Sequence, residues 1–104
     1  MSVLLNYAMF PTDKGSSVSE FVSQIIKMVS ESGYNYKLTA MGTIVETETI
    51  GQALEIVEKS YKILEPQSQR VYATISLDIQ TNKASGRLES KIKSVESKIG
   101  QVKK

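Results

Sequence analysis

The sequence predicts an α+β fold of four strands and three helices in the order β-α-β-β-α-β-α. Three observations carry this prediction. Two stretches of helical spacing each open on a capping-box pattern and close on a helix-stopping residue, Gly33 or Pro66. Four other stretches alternate apolar and polar residues with the period of two that half-buried strands show. Two of those strands follow each other across the short turn Ala40–Gly42. Together these elements form the split βαβ, ferredoxin-like plan, an antiparallel four-stranded sheet of order 4-1-3-2 with the first two helices on one face. Crossovers are right-handed, and strands 1 and 3 are expected to be parallel neighbours. A last helix follows the core unit.

Each element has its own signal. Residues 2–10 set Val3, Leu5, Tyr7 and Met9 on one face and Leu4, Asn6, Ala8 and Phe10 on the other, and Pro11 ends the strand. Ser17 and Glu20 fit a capping box. Val18, Phe21, Val22, Ile25, Ile26 and Val29 then follow as a helical stripe. Residues 34–40 and 43–48 make the hairpin. Thr49 and Gln52 fit a second capping box, and the predicted stripe of that helix is Ala53, Leu54, Val57, Tyr61 and Leu64. Residues 70–79 alternate most cleanly, with Val71, Ala73, Ile75, Leu77 and Ile79 opposite Tyr72, Thr74, Ser76 and Asp78. From about Gly86, Leu88, Ile92, Val95, Ile99 and Val102 recur in alternating steps of four and three, a stripe that also suits packing against a partner.

The 104 residues suit one domain, 1–104. No stretch reaches the roughly 18 apolar residues of a membrane span, and MSVLLNYAMF reads as a first strand, not a signal peptide. The expected location is cytoplasmic, with no membrane partner. With no Cys and no His, disulfides, thiolate nucleophiles, Ser-His-Asp triads and the commonest zinc ligands are excluded. No metal or cofactor is implied. Catalysis would rest on Asp, Glu or Lys, for example Asp78 or Glu46 with Lys91, and no spacing demands it. Residues 86–104 hold six basic and two acidic side chains, while the whole chain is +2. No aromatics interleave with those lysines, so the last helix reads as a solvated basic face and no nucleic-acid partner is expected.

The most informative residue is Glu46, in Met41-Gly42-Thr43-Ile44-Val45-Glu46-Thr47. A carboxylate inside an apolar strand needs a partner: a cation, a donor-rich ligand or a neighbouring subunit. With strands 1 and 3 parallel, both leading helices would start where those strands finish. Phe10, Ser17 and Glu46 would then collect at one end of the sheet, near two helix N-termini. On the face without the first two helices, Asn6, Phe10, Glu46, Tyr72 and Thr74 would form a pocket with aromatic walls and a few polar groups, suited to a cationic, partly aromatic ligand. A salt bridge across a subunit interface is the other use for Glu46. A second subunit is expected to cover this face.

These residues also resemble a known family. Strand 1 running into Pro11 and Ser17-Val18-Ser19, the Met41-Gly42-Thr43-Ile44-Val45-Glu46 run, Arg70-Val71 and Leu88-Glu89-Ser90-Lys91-Ile92-Lys93-Ser94-Val95-Glu96 resemble the small thiamine-binding, YkoF-like proteins. The resemblance implies a ferredoxin-like subunit, assembly as dimers that pair into tetramers, and non-catalytic binding of thiamine or its pyrimidine moiety. It carries Thr43 and Glu46 over as ligand residues, with Ser17. This chain departs from the pattern at Thr47, where the family often has Gly, and after Asp78, where an acidic and arginine-rich run is replaced by Ile79-Gln80-Thr81-Asn82-Lys83. The alternative function is an oligomeric structural or regulatory module without a ligand.

Overall fold

Val3, Leu5, Tyr7 and Met9 all lie buried under the helices, as their alternation requires. In the computed structural model, which describes all of Met1–Lys104, they belong to β1 (Ser2–Pro11). The chain continues through α1 (Ser19–Glu31), β2 (Asn35–Thr39), β3 (Gly42–Thr47), α2 (Ile50–Leu64), β4 (Val71–Gln80) and α3 (Arg87–Ile99). The sheet order β2-β3-β1-β4 is the expected order read from the other edge. α1 and α2 pack on one face and bury Ile25, Val29, Ala53, Ile56 and Leu64 against Val3, Leu5 and Val45.

The direction of β3 differs from the expectation. β1 and β3 are antiparallel, with Leu4 opposite Glu46 and Tyr7 opposite Thr43. The topology requires this. The crossover through α1 returns β2 in the direction of β1, and the hairpin then reverses β3, which lies between them. β1 and β3 therefore finish at opposite ends of the sheet. α1 starts at the Phe10 end and α2 at the Glu46 end.

Two helices also differ in detail. α2 keeps its capping box: the Thr49 side chain accepts from the Gln52 N–H at 3.1 Å, and Gln52 Oε1 accepts from the Thr49 N–H at 3.2 Å. α1 does not form the box expected at Ser17. Its N-cap is Val18, and no side chain caps it. The buried face of α2 is Ala53, Ile56, Ser60 and Leu64, so Leu54 and Tyr61 of the predicted stripe point outward. Ser60 makes this rotation possible. Its hydroxyl donates to the Ile56 carbonyl at 2.8 Å and accepts from the Tyr7 phenol at 2.8 Å, so a polar residue is satisfied inside the core.

β4, the cleanest alternating strand, is the most exposed. It pairs only with β1, and both of its faces are largely open. α3 lies across the face opposite α1 and α2, packing on β1, β2 and β3 and reaching β4 only through the Arg87 side chain. It buries Leu88, while Val95 and Ile99 farther along its stripe stay exposed.

Candidate functional site

The sheet has two chemically different ends. At one, Glu46 lies on the α3 face and is only 5% exposed. Oε2 accepts from Ser2 Oγ at 2.6 Å and from the Arg87 N–H at 3.3 Å, and Oε1 accepts from the Gly86 N–H at 3.0 Å. The carboxylate therefore caps α3 from a different element, at the positive end of the helix dipole. Gly86 supplies the turn with φ 100°, a left-handed conformation that glycine adopts without strain. The Arg87 side chain returns to β1 and β4. Its Nε donates to Ser2 Oγ at 3.0 Å, and its Nη2 donates to the carbonyls of Ser2 at 2.8 Å and Asp78 at 2.7 Å. Nη1 lies 3.3 Å from Asp78 Oδ2.

Burial pushes the Glu46 carboxyl up. The donors from Ser2, Gly86 and Arg87, with the Arg87 charge, outweigh it and hold the group below the ordinary glutamate value of 4.5. Both Glu46 oxygens are thus occupied by the chain itself. An open polar cleft of about 490 Å³ adjoins them, with Tyr34, Asn35, Glu48 and Ser85 on its walls.

The other end gathers most of the remaining expected residues. A cavity of about 260 Å³ lies between α1 and the β2–β3 hairpin, walled by Tyr7, Phe10, Val22, Ile25, Leu38 and Met41, with Thr43 at its polar edge. Thr43 is 5% exposed, and its hydroxyl forms no hydrogen bond within the chain. Every fully buried side-chain polar atom does have a partner, so this hydroxyl is open to the cavity. Burial pushes the Tyr7 phenol up, and its bond to Ser60 offsets only part of that.

The hairpin closes tightly over β1. A side chain at Gly42 would come within 2.9 Å of the Tyr7 carbonyl and 3.2 Å of Asn6 Oδ1. The loops at this end are tied together: Asp13 accepts from Ser68 Oγ at 2.5 Å and from the Gln69 N–H at 2.9 Å.

On the opposite face of the same end, Phe10 and Tyr72 stack at a tilt with ring centroids 5.9 Å apart. Asn6 and Thr74 line a recess of about 140 Å³ beside them. Ser17 stands between Ser16 and Val18, which border a shallow depression next to Phe10. So Asn6, Phe10, Ser17, Thr43, Tyr72 and Thr74 share one end, divided between the two faces of the sheet. Glu46 is at the other end, which corrects the expectation that it joins Phe10 and Ser17. Sequence reasoning missed Leu38, Met41, Val22 and Ile25 as cavity walls and Ser2 and Arg87 as partners of Glu46. Arg87 did carry a signal, because a cation in the first turn of a helix opposes the dipole unless it is held elsewhere.

Residues 5–96 match the family described as thiamine-binding protein. The chain belongs to that family. The match to the thiamine-binding protein family spans the cavity, the hairpin and Glu46, and leaves Ser2 outside. Among curated relatives, a UPF0045 protein of Mycobacterium bovis is 31% identical over 78 residues, covering 75% of this chain and 76% of its own. A UPF0045 protein of Methanothermobacter thermautotrophicus is 29% identical over 85 residues, covering 81% and 85%. The fold is shared with a hypothetical protein of Methanocaldococcus jannaschii, at a TM-score of 0.78 and 24% identity over 90% of this chain and 95% of the other. It is shared also with a Thermotoga maritima protein assigned provisionally to thiamine biosynthesis or salvage, at a TM-score of 0.77 and 19% identity over 91% and 99%.

Proposed function

We propose that this protein binds thiamine, or its pyrimidine moiety, without converting it, and does so as a homo-oligomer. The observation that carries this reading is the Thr43 hydroxyl, left without a partner at the edge of an aromatic-walled cavity in a member of the thiamine-binding family. The Tyr7 ring, with Val22, Ile25 and Leu38, provides apolar walls for a flat heteroaromatic ring, and Thr43 offers one donor and two acceptor positions to its ring nitrogen or amino group. The volume, about 260 Å³, suits one substituted ring. The thiazolium cation of thiamine would sit at the cavity mouth and not against Glu46, whose oxygens are already engaged.

Isothermal titration calorimetry tests this with thiamine and with 4-amino-5-hydroxymethyl-2-methylpyrimidine. Thr43→Val is expected to weaken binding about tenfold, the worth of one hydrogen bond. Glu46→Gln is expected to change affinity less than about threefold in protein that remains folded. No saturable heat with either compound in the intact protein rejects the reading.

A ligand-free structural or regulatory oligomer is the second reading, favoured by the apolar surface that β4 and α2 expose. That reading expects Glu46 to pair across subunits, whereas its basic partner, Arg87, belongs to the same chain.

A further inference from the structure

The chain has four methionines and no cysteine, so thioethers are its only sulfur groups. Their surroundings differ. Met9 is in the core and 7% exposed, and Met28 packs against that core. Met41 is 89% exposed, the most open large apolar side chain in the molecule. It stands at the tip of the β2–β3 hairpin, on the rim of the cavity that holds Thr43 and beside the recess at Asn6 and Thr74. The backbone holds it there. The Thr39 hydroxyl accepts from the Met41 N–H at 3.3 Å and the Gly42 N–H at 3.1 Å, and donates to the Gly42 carbonyl at 2.8 Å. Gly42 in turn lies close over the Tyr7 carbonyl. The Met41 side chain can swing about its own bonds, but the turn beneath it is fixed. Methionine is among the residues most often buried. Here one is held open beside an apolar cavity.

We propose that Met41 is a site of reversible oxidation by hydroperoxides, and that its sulfoxide loosens the cavity's hold on a neutral heteroaromatic ring. The first half, the modification site, needs no ligand. The second half, the control of binding, rests on the function proposed above.

In the reaction the sulfur lone pair attacks one oxygen of the peroxide. The S–O bond forms as the O–O bond breaks. Sulfur gives up two electrons to the peroxide, and the second oxygen takes the protons and leaves as water or an alcohol. The oxidant comes from solution, so access decides which methionine reacts. Met41 has that access and Met9 does not. Reduced, the flexible and polarizable thioether can fold over the cavity mouth and lie against a ring seated on Tyr7. Oxidised, the side chain is polar and chiral. Its oxygen needs a donor, and the neighbouring Val22, Ile26 and Leu38 side chains have none. The Thr39 hydroxyl is already spent within the turn, and the Tyr7 phenol is engaged with Ser60. The sulfoxide therefore stays in water, and the ring loses its cover.

Folded protein treated with hydrogen peroxide, then digested and read by mass spectrometry, tests the first half. Met41 is expected to gain oxygen at least about tenfold faster than Met9 or Met28. Calorimetry with 4-amino-5-hydroxymethyl-2-methylpyrimidine tests the second half. Protein oxidised at Met41 is expected to bind at least about fivefold more weakly than untreated protein, with far-UV circular dichroism unchanged. Methionine sulfoxide reductases are expected to restore the affinity. Met41→Leu, whatever its own affinity, is expected to change less than about twofold on the same treatment. This variant separates Met41 from Met1, which is 51% exposed and lines the cleft beside Glu46. Met9 or Met28 reacting as fast as Met41 overturns the modification site. Equal affinity before and after oxidation, or an equal loss in Met41→Leu, overturns the control of binding. If untreated protein binds neither this pyrimidine nor thiamine, the binding function falls and its control falls with it, while the order of oxidation still decides the modification site.

Discussion

Glu46 and Arg87 meet twice at the start of α3: the carboxylate accepts the Arg87 N–H at 3.3 Å, and both side chains share the Ser2 hydroxyl, at 2.6 and 3.0 Å. One residue is in the third strand and the other in the last helix. The pair thus fixes α3 to the sheet through charge and hydrogen bonds where its apolar stripe buries little beyond Leu88. Removing either partner leaves the other buried and incompletely paired. Glu46→Ala and Arg87→Ala are each expected to cost about 3 kcal/mol in urea unfolding. The double variant should cost less than the sum by about 1 kcal/mol or more. Strict additivity would mean that the two side chains act separately.

The same carboxylate makes stability depend on pH. Its folded pKa lies below the ordinary value of 4.5. The stabilisation it contributes is therefore fully present above that unfolded value and is lost as pH falls through the folded one. Urea midpoints measured from pH 6 downward are expected to fall more steeply for the wild type than for Glu46→Gln, starting near pH 4.5. Parallel curves would sink the assignment.

The two helix starts should respond differently to the same substitution. Thr49→Ala removes a formed cap and is expected to cost about 1 kcal/mol. Ser17→Ala removes no capping bond and should stay within about 0.5 kcal/mol of wild type in the same unfolding measurement.

Gly42 and Gly51 form a second contrast. A methyl group at Gly42 meets the Tyr7 backbone carbonyl at 2.9 Å, which can yield only by moving the strand, so Gly42→Ala is expected to cost about 1–3 kcal/mol. At Gly51 the nearest atom is Thr49 Oγ1 at 3.9 Å, and Gly51→Ala should stabilise α2 by about 0.5 kcal/mol. Thermal midpoints that rank the two the other way would contradict the hairpin geometry.

The element order was legible because each strand and helix carries its own period and its own stop signals. Strand direction was not local information. The parallel reading of β1 and β3 misplaced Glu46 by the length of the sheet, although every residue on the open face, from Leu4 to Asp78, was assigned to the correct side. Ser60 hid the buried face of α2, because a serine reads as polar until its two hydrogen bonds are visible. β4 reads as a core strand by alternation alone, and its sequence does not reveal that it stands at an edge. At the candidate site, Phe10 was found through its strand face and Thr43 through the family resemblance. The cavity walls from Leu38 and Met41 depend on how the hairpin leans over α1, which no short-range pattern encodes.

The contact between Arg87 and Ser2 joins residues 85 positions apart. The first strand is made early and must wait for Arg87 before its partner at Ser2 exists. Until Arg87 emerges, Glu46 has neither its arginine nor its helix to cap, and the edge of β1 awaits β4. Closing this end is therefore a long-range step of folding, with the last helix acting as the latch.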